Sequence, residues 1–124
     1  ARWLPEGVSH AAMARAPALT FSDKDRLQAD WLRQRLGPGI AFPTHRLASS
    51  QAFVDGALAG LGWGMNPLPL VAGHLEAGRL VELLPGTALD VALHWQYARR
   101  TAPALAGLTR ALRQAAERVL LAPE

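Results

Sequence analysis

The sequence predicts an α/β fold with a largely parallel sheet, and three observations carry that prediction. Apolar runs of strand length alternate with segments of helical periodicity at short intervals. Two turns that leave such runs, Phe21–Asp25 and Leu47–Ser50, are rich in Ser and Asp, the residues that open helices. Half of the 124 residues are hydrophobic, enough to build a buried core.

The elements follow in order. Residues 1–7 read as a linker, since Pro5 and Gly7 break regular structure. Val8–Arg15 reads as a short helix capped by Ser9, with Pro17 beyond its end. Ala18–Phe21 is a short apolar strand. Ser22-Asp-Lys-Asp25 then opens a second helix with Leu27 and Trp31 on its inner face. Ser22 and Asp25 make an acidic variant of a capping box, and Asp23 and Asp25 suit the positive helix end. Gly37-Pro-Gly39 stops that helix, and Ile40–Leu47 reads as a strand interrupted by Pro43.

Ser49–Pro67 is the central unit: a helix, a glycine turn and a short buried strand. Ser49 or Ser50 caps the helix, Phe53, Ala57 and Leu58 share one apolar face, and Gly60 stands where a left-handed stop belongs. Trp63–Met65 reads as a strand buried on both faces and ended by Pro67. Leu68–Ala77 is a helix stopped by Gly78, and Leu80–Leu84 a strand. Asp90–Tyr97 alternates, with Val91, Leu93 and Trp95 on one side. Thr101 caps the last helix, Pro103 sits in its first turn, and Leu105, Leu108, Leu112, Ala116 and Val119 form one stripe.

Composition excludes several classes. With no cysteine there is no disulfide and no thiolate metal site, which fits a reducing cytoplasm. The net charge of +3 arises from twelve arginines and one lysine against ten acids, spread along the chain rather than gathered into a basic arm. No apolar run reaches the roughly 18 residues of a membrane span, and the opening residues do not form a signal peptide. His10, His45, His74 and His94 lack ligand spacing, so neither metal nor cofactor is expected. Gly60, Gly62 and Gly64 follow a helix and enter a strand, the reverse of a dinucleotide loop, and read as a helix stop with tight packing. Without a Gly-x-Ser-x-Gly elbow, no catalytic residue is assigned. The arginines of the last helix read as a solvated face rather than a DNA contact.

In parallel sheets, ligands sit at the carboxyl ends of strands beside helix N-termini. The candidates for ligand contact are therefore Phe21, Ser22, Asp23, Asp25, Ser49, Ser50, Gly64 and Met65. The helix start at Ser49–Ser50 suits an anionic or polar group, although capping alone accounts for it equally well. Asp23 or Asp25 suits a cationic group, against a plain preference for acids at helix starts. Phe21, Gly64 and Met65 would shape the wall.

The motifs Ala18-Leu-Thr-Phe-Ser-Asp-Lys-Asp25, SSxAFVxxxLxGLGWGMxP over Ser49–Pro67, LxxGxLVxLxPG over Leu75–Gly86, and Leu93-His-Trp-Gln96 occur together. On them, nearly the whole chain resembles the C-terminal part of LysR-type transcriptional regulators, within the lysine/arginine-responsive, chromosome replication initiation inhibitor-like subgroup. The resemblance implies part of a two-lobed effector domain of type II periplasmic-binding-protein form. Residues 1–7 would be the crossover, 8–88 the second lobe, and 89–124 the return strand and helix of the first lobe. It further implies a lysine or arginine effector and a winged helix-turn-helix, N-terminal of these residues, through which the parent binds DNA. The apolar strand and stripe in 89–124 would then lack partners, so homodimerisation or higher self-association, or a rearranged C-terminus, is expected. Competing classes are a lobe of a secreted solute-binding protein and a small α/β enzyme.

Overall fold

The computed structural model describes residues 2–121. The chain divides into a larger unit that runs to Ala88 and a smaller one that begins at Leu89.

The larger unit is built on a small parallel sheet. Strand β1, Ala18–Thr20, pairs in parallel with β2, Thr44–Arg46, in the register Ala18↔Thr44, Leu19↔His45 and Thr20↔Arg46. On the other side of β1 lies Trp63, joined to Ala18 by a single parallel bridge. Its N–H donates to the Pro17 carbonyl at 3.0 Å, and its carbonyl accepts from Leu19 N–H at 2.7 Å. β1 is thus central, which is why Ala18 and Leu19 are fully buried while all of β2 is exposed. The expected strand Trp63–Met65 shrinks to this one bridge, because Pro67 can donate nothing to extend a ladder.

Helix α1, His10–Met13, is capped as expected by the Ser9 hydroxyl, which accepts from Ala12 N–H. Helix α2, Leu27–Leu36, begins five residues later than the sequence suggests. Ser22–Asp25 forms a turn instead, closed by Asp25 N–H to the Ser22 carbonyl. The capping box does not form: the Ser22 hydroxyl accepts from Lys24 N–H, and the Asp25 carboxylate turns forward to Leu27 N–H. Trp31 and Leu32 are the buried residues at the middle of α2.

Helix α3, Ser50–Leu58, has Ser49 as its cap. It ends in a Schellman motif: Gly60 N–H bonds the Ala57 carbonyl, Leu61 N–H bonds the Gly56 carbonyl, and Gly60 has φ +72°. Helix α4, Leu68–Glu76, ends the same way around Gly78, through Gly78 N–H to Leu75 and Arg79 N–H to His74. The core gathers where α2, α3 and β1 meet. Trp63 lies there 5.7 Å from the Trp31 ring and 5.9 Å from that of Phe42.

Leu80–Leu84 is not a strand. Arg79 and Leu80 N–H both bond to the His74 carbonyl, and the Leu84 carbonyl accepts from the Thr87 hydroxyl, so helix exit and turn consume the ladder groups. Two indoles pin the ends of this unit: Trp3 Nε1 donates to the Gly60 carbonyl at 2.8 Å, and Trp31 Nε1 to the Thr87 carbonyl at 3.0 Å.

The smaller unit has a 3₁₀ turn at Arg99–Thr101 and helix α5, Ala106–Val119. Asp90–Tyr97 is not a strand among the described residues, since alternation makes a strand only against a partner edge. Thr101 does not cap α5: its hydroxyl bonds the Ala98 carbonyl, and the helix begins only after Leu105, beyond Pro103. Trp95 Nε1 donates to the Thr109 hydroxyl at 3.1 Å, and Val91, Leu93, Leu108 and Val119 are exposed.

Candidate functional site

Parallel pairing decides where the polar turns lie. With Thr20 opposite Arg46, the chain leaves β1 and β2 at the same carboxyl edge, and Leu47 N–H bonds back to the Thr20 carbonyl at 2.9 Å. Phe21–Asp25 and Leu47–Ser50 therefore stand side by side. Gly64 and Met65 follow Trp63 toward the same edge, because Trp63 also runs parallel to β1. All eight expected residues are brought to one end of the sheet.

Their roles differ. Asp25 is largely committed to its own backbone. One carboxylate oxygen accepts from Phe21 N–H at 2.9 Å and from Gln28 Nε2 at 3.4 Å, and the other accepts from Leu27 N–H at 3.2 Å. It joins the end of β1 to the start of α2. Asp25→Ala is expected to lower unfolding free energy by about 1–2 kcal/mol, through loss of the bonds from Phe21 and Leu27 N–H. Urea denaturation of the chain measures this; an unchanged midpoint contradicts the role.

Asp23, by contrast, is well exposed and makes one ion pair, with the guanidinium of Arg46 at the end of β2. This contact ties the first polar turn to the strand that leads into the second. Ser49, rather than Ser50, supplies the cap: its hydroxyl accepts from Ala52 N–H at 3.4 Å. Ser50 is the first residue of α3 and is exposed, so the opening turn of that helix faces the edge with free donors. Phe21 is 45% exposed beside it. Gly64 is set by packing. A Cβ there would come within 2.6 Å of the Phe53 ring and 3.2 Å of Leu19 Cβ.

Two residues outside the sequence-based set matter here. Gln28 is 1% exposed, holds Asp25 through its Nε2, and has no partner for its Oε1. Arg46 holds Asp23. The signal for Gln28 was a polar residue one position after Leu27 on an otherwise inward-facing turn. For Arg46 it was a cation at the last position of a strand before a capping serine.

A family model described as the LysR substrate binding domain matches residues 1–117. The chain belongs to the LysR substrate-binding-domain family. This LysR domain is 46% identical over 112 residues to the HTH-type transcriptional regulator ArgP of Pseudomonas aeruginosa, covering 90% of the chain and 37% of the regulator. It thus spans little more than a third of the length of the curated relatives it matches. Among solved structures, it is similar to the C-terminal domains of a LysR family protein from Agrobacterium tumefaciens, with a TM-score of 0.92 at 55% identity over 98% of this chain and 59% of that one. It is also similar to full-length LysG of Corynebacterium glutamicum with bound effector Arg, with a TM-score of 0.73 at 32% identity over 88% of this chain and 36% of that one. The LysR domain accordingly has the α/β, periplasmic-binding-protein-like fold, and the relatives matched are transcriptional regulators rather than enzymes. No helix among the described residues is long and apolar enough to cross a membrane.

Proposed function

We propose that the chain is the effector-sensing part of a LysR-type regulator and that its effector is a basic amino acid, arginine or lysine. The observation that carries this reading is the pairing of two polar turns at one carboxyl edge, with an exposed carboxylate, Asp23, on one and the open start of α3 on the other. An amino acid presents opposite charges at its two ends, and this edge offers a counter-charge for each. The LysG relative with bound arginine supports the same ligand class.

In this reading residues 1–7 are the crossover, 8–88 form the second lobe, and 89–124 belong to the first lobe, whose remaining residues lie in the longer parent protein. The exposed Val91 and Leu93 and the uncovered stripe of α5 support packing against those residues or against another copy. The parent would bind DNA through a winged helix-turn-helix and act in the cytoplasm. An effector that binds the closed pair of lobes more tightly than the open pair shifts the population toward closure and alters how the regulator sits on DNA.

Calorimetric titration of the full-length regulator with arginine and lysine tests the reading. Asp23→Asn is expected to weaken binding at least ten-fold, because a hydrogen-bonded charge contact is worth about 1.5–3 kcal/mol. Absence of heat with both amino acids, or unchanged affinity in the variant, contradicts the assignment.

A further inference from the structure

Arg46 offers Asp23 a guanidinium, the same group that an arginine effector carries on its side chain. We infer that Arg46 is a built-in competitor that occupies the effector's cationic subsite at Asp23 and lowers the affinity of that subsite. The inference rests on the proposed reading of Asp23 as the cation contact and adds a determinant to it.

The geometry carries the argument. Of the two carboxylates at the edge, Asp25 is held by Phe21 N–H, Leu27 N–H and the buried Gln28 amide, so its oxygens are engaged from within the chain. Asp23 has no such backbone contacts among the described residues; its one ion pair is with Arg46. Both partners are exposed, with 61% of the Arg46 side chain and 77% of that of Asp23 open to solvent. Such a pair is weak enough to be exchanged. Arg46 is also placed by the sheet, since its backbone is fixed opposite Thr20 by the parallel register. The competing group is therefore tethered beside the carboxylate at high local concentration.

The competitor acts alike on both amino acids. A guanidinium is a planar fork that pairs with a carboxylate through two parallel N–H donors, whereas an ammonium is a point charge with rotating donors. Arginine and lysine therefore differ in the pair each forms with Asp23, but both must first displace Arg46. The competitor thus lowers the affinity for both by the same factor.

The test is calorimetric titration of arginine and lysine into the full-length regulator, as wild type, Arg46→Gln, Asp23→Asn and the double variant. Arg46→Gln is expected to tighten arginine binding about two- to five-fold, the range that exposed ion pairs span, and to tighten lysine binding by the same factor. In the Asp23→Asn background, Arg46→Gln is expected to have no effect. Because both side chains are exposed, the variants should fold, and thermal denaturation checks this. Weakened or unchanged binding in Arg46→Gln overturns the inference while leaving the effector reading intact. So does a tightening that persists without Asp23, which would reflect the general field of the removed charge. If neither amino acid binds the wild type, the effector reading and the inference fall together.

Discussion

Gly62→Ala is expected to destabilise the larger unit strongly. A Cβ at position 62 would lie 2.3 Å from the Pro17 carbonyl oxygen and 3.0 Å from its carbonyl carbon. Both are backbone atoms, so no rotamer change relieves the clash. The same carbonyl accepts from Trp63 N–H, one of the two bonds that attach this segment to β1. Pushing the chains apart sacrifices that bond and strains the Leu19–Trp63 bond beside it. Overpacking commonly costs about 1–3 kcal/mol, and each lost backbone bond adds about 1 kcal/mol. A small domain has about 5–15 kcal/mol in total. The expected result is a chain recovered as insoluble protein, or one with a strongly lowered denaturation midpoint. A soluble variant with the wild-type midpoint would show that the segment does not sit against Pro17.

Trp63→Ala should be at least as damaging, for the opposite reason. The indole is 7% exposed and fills the space between the rings of Trp31 and Phe42, while its Nε1 donates to the Ala16 carbonyl at 3.3 Å. Truncating a buried aromatic to Ala costs about 3–5 kcal/mol through lost transfer energy and the cavity left behind. Trp63→Phe keeps a ring between its neighbours but loses the N–H contact and part of the buried ring, so its cost should be about 1–3 kcal/mol, below that of Ala. Chemical denaturation of the two variants separates the contributions. Equal midpoints for Ala and Phe would mean that the ring itself packs nothing.

Much of the larger unit was legible in local chemistry. Ser9 and Ser49 cap their helices through hydroxyls to backbone N–H, and Gly60 and Gly78 end theirs in left-handed turns, because these devices act within a few residues of sequence. The start of α2 departs from the expected one for the same reason. Ser22, Asp23 and Asp25 all favour helix starts, and only the geometry shows Asp25 reaching back to Phe21 and forward to Leu27. Strands were the harder case. Leu80–Leu84 and Asp90–Tyr97 carry strand-like composition, but a strand needs a neighbouring edge, and composition says nothing of its presence. The candidate edge could be anticipated, since β1 and β2 each lead into a polar turn. The Asp23–Arg46 pair could not, because its partners are 23 residues apart and meet only through the sheet register.

The glycines of the third parallel segment have a consequence for how recognition can diversify. At Gly62 the neighbouring main chain leaves no room for a side chain, and at Gly64 a buried ring and Leu19 crowd the same volume. Under the proposed reading, this part of the binding wall is fixed in chemistry whatever metabolite is recognised. A library built to redirect the sensor toward a new compound should therefore randomise positions 21–25, 46 and 49–50 and hold 62–64 constant.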